Sequence, residues 1–139
     1  MSGAVRGSCH CGAVEFEVQL LGSPDTGTRC DCSLCARRGA VTVSAPLDGI
    51  TFIKGEDKLS LYQFGTMTAE HYFCSVCGIY THHRRRSNPN QLGINLGCLE
   101  GQTPFLPEVE VNDGVNHESD VGSNRVVGRL LFIPEGDDT

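Results

Sequence analysis

The chain has 139 residues, 39% of them hydrophobic and 20% charged, with 17 glycines, eight cysteines and no tryptophan. That length suits one domain with an ordinary buried core, expected here over residues 1–139, and the glycine content suits a turn-rich β protein better than a helical bundle. A formal net charge of −6 argues against nucleic acid or an anionic membrane as partner, because binding to either needs basic patches.

The opening MSGAVRG reads as a frayed tail with no apolar stretch of the secretory kind. Nowhere does the chain reach the roughly 20 apolar residues of a membrane span, so the expected compartment is the cytoplasm. In AVEFEVQL, residues 13–20, Val14, Phe16, Val18 and Leu20 share one face while Glu15, Glu17 and Gln19 take the other. That period-two alternation predicts a half-buried strand. GSPDTG then breaks the pattern with proline and glycine. After a cysteine-rich stretch in which SLCARRG hints at a short helical turn, AVTVSA, GITFIKG and KLSLYQF predict three short strands separated by PLDG and GEDK. HYFCSVCGIYTHH reads as a strand, a tight turn and a second strand. QLGINLGCL puts Leu92, Ile94, Leu96 and Cys98 on one face of a further strand, and EVEV and RVVGRLLFI complete the series before a frayed PEGDDT. The predicted class is mainly β.

The cysteines carry the chemistry. Cys9 and Cys11 form a C-x-C, Cys30, Cys32 and Cys35 a C-x-C-x-x-C, and Cys74 and Cys77 a C-x-x-C followed by Gly78, with Cys98 alone. In a reducing compartment, clustered thiols point to metal or redox chemistry rather than disulfides. Zinc takes four soft ligands in a tetrahedron, and two thiolates close in sequence chelate it with little added ordering. The pairs 9/11 and 74/77 together make one closed structural site, which leaves Cys30, Cys32 and Cys35 as a three-thiolate site with an open position, as in a catalytic zinc. Spacing also permits Cys9, Cys11, Cys30 and Cys32 on one metal, with Cys35, Cys74, Cys77 and Cys98 on another. Iron fits a four-thiolate site equally well.

Taken in order, CHCG with its following V and F, the C-x-C-x-x-C and FCSVCGIYTHH resemble the glutathione-dependent formaldehyde-activating enzyme family, which includes the centromere protein V type. The match runs over residues 8–99. The resemblance implies a β-tent fold of two small antiparallel sheets bridged by zinc knuckles. It implies structural zinc at Cys9, Cys11, Cys74 and Cys77, and catalytic zinc at Cys30, Cys32 and Cys35. The implied reaction is addition of glutathione to formaldehyde to give S-(hydroxymethyl)glutathione, a carbon–sulfur lyase activity. The chain lacks the proline–tryptophan element that many family members carry near the C-terminus and has EVEVNDGVNHESD there instead.

Around such a site, Arg37 and Arg38 are candidates to offset thiolate charge and to contact carboxylates of the thiol substrate. Arg84, Arg85 and Arg86 read mostly as surface charges that are solvated or paired with the chain's many acids. His82, His83 or a water is the expected proton donor to the developing alkoxide. His10 lies between two ligands and is expected to point away from the metal, and His71 and His117 read as ordinary hydrogen-bonding residues. Cys98 reads as a small buried hydrophobe. The rival functions are a zinc module without catalysis, favoured if a histidine or Cys98 closes the three-cysteine site, and a methionine sulfoxide reductase-like enzyme. The latter needs an exposed nucleophilic cysteine, and Cys98 on an apolar face argues against it.

Overall fold

The structure is a computed structural model that describes residues 4–116 and 125–136. In chain order the strands are β1 (Val5–Ser8), β2 (Glu15–Val18), β3 (Thr28–Cys30), β4 (Thr42–Pro46), β5 (Ile50–Lys54), β6 (Leu59–Tyr62), β7 (Glu70–Cys74), β8 (Tyr80–Arg84), β9 (Gln91–Asn95), β10 (Glu108–Asn112) and β11 (Val126–Leu131). Among the described residues an α-helix, α1 (Ser33–Arg38), follows β3, and 3₁₀ turns lie at Pro24–Thr26, Glu56–Lys58 and Leu96–Cys98. The strands form two sheets, as expected. The smaller has the order β1-β2-β5 and the larger the order β11-β10-β3-β4-β9-β8-β7-β6. The larger sheet, with eight strands, is wider than the small sheets expected, and it contains one parallel pair, β3 with β10.

The buried faces of the two sheets make the core. Phe16 and Val18 come from the small sheet and Val14 from the turn leading into it, and Val43, Ala45, Leu92, Ile94 and Leu96 come from the large sheet and its adjoining turn. Phe16 is fully buried, which is worth roughly 2–3 kcal/mol of transfer free energy. The alternation in β2 holds, with Phe16 and Val18 buried and both glutamates half-buried.

Three expectations are corrected. Of the residues read as a frayed N-terminal tail, Val5–Gly7 instead belong to β1, paired with β2 from Val5↔Val18 to Ser8↔Glu15, while residues 1–3 lie outside the described residues. The period-two reading of QLGINLGCL ends at Asn95, where the Asn95 side chain accepts from Gly97 N and starts a 3₁₀ turn. Cys98 is therefore buried in a turn rather than on a strand. β3, lying inside the cysteine-rich stretch, has no alternating pattern of its own. It is held by its neighbours β4 and β10.

β8 determines where the site lies. Tyr80, Thr81, His82 and His83 are all buried, because both faces of this central strand are covered. Tyr72 pairs with His82 but Phe73 pairs with Tyr80, so Thr81 is the extra residue of a β-bulge. A bulge re-aims the side chain beside it, and here the Tyr80 hydroxyl comes to His83.

Candidate functional site

Two hairpin turns bring the first four cysteines together. The turn between β1 and β2 holds Cys9 and Cys11. It is closed by Cys9 N to Val14 O at 3.1 Å, with Gly12 at φ +82°. The turn between β7 and β8 holds Cys74 and Cys77, closed by Gly78 N to Cys74 O at 2.7 Å, with Gly78 at φ +81°. Both glycines occupy the left-handed region, which glycine adopts without a steric penalty. Cys9 and Cys11 Sγ lie 3.7 Å apart, and Cys11 and Cys74 Sγ 3.8 Å. All four sulfurs fall within 4.8 Å of one another. A tetrahedron with zinc–sulfur bonds of about 2.3 Å has sulfur–sulfur edges of about 3.8 Å. Amide N–H groups of Val14 and Val76 donate to Cys9 and Cys74 Sγ at 3.3 Å, the way a thiolate ligand is stabilised. Backbone hydrogen bonding at Cys11 helps hold the Cys77 thiol down at about 6. None of the eight cysteines is in a disulfide. Donor type and spacing both fit a zinc ion.

Cys30, Cys32 and Cys35 form a second cluster, again within 4.8 Å. Cys30 ends β3, and Cys32 is the N-cap of α1, its sulfur accepting from Cys35 N at 3.3 Å. Cys32 N points at Cys30 Sγ at 3.5 Å, and Arg38 Nη2 donates to Cys35 Sγ at 3.6 Å. Hydrogen bonds from Cys30 and Cys35 push the Cys32 thiol well down, while hydrogen bonding with Cys32 pushes Cys30 well up. Among the described residues no histidine, carboxylate or other cysteine joins this trio, so neither His71, His82, His83 nor Cys98 closes it. His117 lies outside the described residues.

Two residues that hold the trio were not singled out in the sequence. Asp31 Oδ1 accepts from Gly114 N at 2.8 Å and Val115 N at 3.2 Å, which pins the chain after β10 against the cluster. A Cβ on Gly114 would overlap Cys30 Sγ and stand 2.7 Å from Cys32 Cβ. The Asp-Gly pair in NDGVN signals a turn in sequence, but nothing local says that the turn abuts a cysteine more than 80 positions away.

The trio opens onto a cavity of about 850 Å³, lined also by His71, His83, Arg29, Arg38, Arg85 and Arg86. Arg38 lies 3.7 Å above the Tyr80 ring, and its Nη1 is 3.1 Å from His71 Nδ1. Arg37 does not line the cavity; it is exposed and donates to the Ser33 carbonyl at 2.8 Å. The arginines at 84–86 are half-buried. Arg84 pairs with Glu70 at 3.9 Å and donates to Pro89 O, and Arg85 donates to Ser44 Oγ at 3.0 Å. The two neighbouring histidines part company: His83 faces the cavity, whereas His82 packs between Tyr72 and Phe52 and bonds Thr81 Oγ1. Burial holds His71 and His82 at about 4 and His83 well below 6.5, with Arg38 adding to the effect at His71 and His83. His10 is exposed. Cys98 is pushed up to about 12 by burial and remains a thiol, donating to Tyr80 O at 3.6 Å.

Comparison with known proteins adds three findings. A family model for the glutathione-dependent formaldehyde-activating enzyme matches residues 4–113. A Halomonas elongata protein whose name places it in the same family is 35% identical over 82 residues, covering 52% of this chain and 51% of that protein. The match thus spans about half the length of that curated relative. A crystal structure of a Rhodobacter sphaeroides protein, a Northeast Structural Genomics target, is 56% identical with a TM-score of 0.69, over 71% of this chain and 91% of that one. With a match running from before β1 through β10, the chain belongs to the glutathione-dependent formaldehyde-activating enzyme family.

Proposed function

We propose that residues 1–139 form a single cytoplasmic domain that adds a thiol, glutathione, to formaldehyde and gives S-(hydroxymethyl)glutathione, a carbon–sulfur lyase reaction. Cys9, Cys11, Cys74 and Cys77 would hold a structural zinc, and Cys30, Cys32 and Cys35 a catalytic one. One observation carries this reading: the three-thiol cluster gains no fourth ligand from the described chain and sits at the wall of a cavity large enough for a peptide-sized thiol. A metal held by three thiolates supplies an open position at which an incoming thiol ionises near neutral pH.

The chain's own residues do the rest. Asp31 and Gly114 hold the trio in register. The Arg38 guanidinium offsets sulfur charge at Cys35 and is also engaged by His71 and the Tyr80 ring. Arg29, Arg85 and Arg86 line the same cavity and bring positive charge to its wall, suited to the carboxylates of a thiol substrate, whereas Arg37 does not line it. Bringing two small reactants together is the main contribution, because oriented reactants gain large effective molarities. The partners are small molecules rather than nucleic acid. No helix among the described residues is long and apolar enough to cross a membrane.

The test is exchange NMR on glutathione, formaldehyde and their adduct at equilibrium. Zinc-loaded protein is expected to speed exchange, and Cys32→Ser to abolish the effect while the fold survives. Unchanged exchange with both metals bound would refute the reading.

A further inference from the structure

The cavity contains two buried imidazoles that the reading above leaves unused. His71 and His83 lie directly opposite each other across β7 and β8, their rings stacked with centroids 5.1 Å apart and planes 24° apart. Gly93, the partner of His83 on β9, makes room for the second ring, since a Cβ there would overlap it. Each ring has its Nδ1 engaged. His71 Nδ1 is 3.1 Å from Arg38 Nη1. A guanidinium only donates, so this nitrogen accepts and the ring proton sits on Nε2. His83 Nδ1 is 2.5 Å from the Tyr80 hydroxyl, whose other neighbour, Gly93 O, is at 3.4 Å. The phenol proton goes to the nearer acceptor, which leaves the His83 proton on Nε2 as well. Among the described residues neither Nε2 has a protein hydrogen-bond partner, and both rings line the cavity.

We propose that His71 and His83 form a two-donor oxyanion site, their Nε2–H groups binding the aldehyde oxygen as it becomes an alkoxide. This assigns two catalytic residues and rests on the function proposed above. In the step, the sulfur lone pair forms the S–C bond and the C=O π pair moves onto oxygen. That oxygen then takes, through water, the proton the thiol released. Nothing is oxidised, and both imidazoles keep their protons. Burial keeps the rings neutral, so they donate hydrogen bonds without protonating the product. Arg38 and Tyr80 are positioning residues that fix the two tautomers.

The test combines ¹⁵N NMR of the histidine rings in the zinc-loaded full chain with exchange kinetics. Both rings are expected to show the Nε2–H pattern, with both Nε2 signals shifting on addition of S-(hydroxymethyl)glutathione. Tyr80→Phe keeps the ring under Arg38 but is expected to mix the His83 tautomers. His71→Phe is expected to lower kcat about 100-fold at unchanged metal content, with His71→Gln, which retains an N–H donor, recovering part of the loss. An Nδ1–H pattern in either ring overturns the assignment whatever the activity. A wild-type protein that catalyses exchange, beside a His71→Phe variant within threefold of it, also overturns the donor pair. If wild type does not catalyse exchange, the lyase reading fails by itself. The donor site then stands if the Nε2 signals still shift with the adduct, and falls if they do not.

Discussion

Replacing Gly114 by alanine asks whether the chain after β10 is part of the three-cysteine site. The added Cβ would overlap Cys30 Sγ and stand 2.7 Å from Cys32 Cβ and 2.8 Å from Cys32 N. None of these can swing aside cheaply. Two belong to or adjoin the backbone of a helix cap, and the sulfur is the proposed ligand itself. Gly114 cannot retreat freely either, because Asp31 Oδ1 holds its N–H at 2.8 Å. Overpacking of this kind costs about 1–3 kcal/mol. Falling wholly on the metal-holding geometry, that cost is a loss of about 5- to 150-fold in affinity, at 1.4 kcal/mol per decade. The four-cysteine site is built on the β1–β2 and β7–β8 turns and should keep its affinity. Competition against a zinc chelator resolves the two sites as separate steps. The weaker step should move in Gly114→Ala and the tighter one should not. Both steps at their wild-type midpoints, within a factor of two, would refute the contact as a determinant of the site.

Further outcomes follow from the same geometry. Cys11 is exposed, so Cys11→Ser removes no buried packing; a fall in Tm of about 10 °C, matched by chelation of the wild type, is expected from lost ligation alone, and an unchanged Tm would show that the four-cysteine site holds no metal. Asp31→Ala leaves the Gly114 and Val115 amides without their acceptor and should cost about 1–3 kcal/mol in urea melts. Asp31→Asn keeps an oxygen there and should recover most of that, so equal losses in the two variants would sink the idea. His82 is held at about 4 against an ordinary 6.5, so the unfolded chain binds a proton in that range that the folded chain refuses. Its contribution is therefore neutral above pH 6.5 and increasingly destabilising as pH falls toward 4. His82→Phe, which retains the stack on Tyr72 and Phe52, should flatten the fall in Tm over that range relative to wild type; parallel profiles would show that His82 titrates normally.

Local chemistry determined much of this protein before any tertiary contact was known. Period-two alternation placed β2, because a half-buried strand sends every second side chain to the core, and turn signals on either side set off the short strand that is β4. Thiol spacing marked the cysteine clusters as candidate metal sites, because thiolates close in sequence chelate with little added ordering. SLCARRG announced α1, capped by Cys32 and ended by Gly39 in the left-handed region. The family followed from the order of those motifs.

Tertiary structure alone decided which cysteines share a site and which other side chains reach them. The parallel pairing of β3 with β10 brings Gly114 and Asp31 to the trio, and a long-range pairing leaves no local signature. His82 and His83 look equivalent in sequence, but strand alternation buries one against Phe52 and turns the other to the cavity. Arg37 and Arg38, adjacent on one helical turn, diverge likewise, to solvent and to Cys35. The bulge at Thr81 carries the Tyr80 hydroxyl to His83. Each of these distinctions depends on which face of an element is covered, and that is settled only when the two sheets pack.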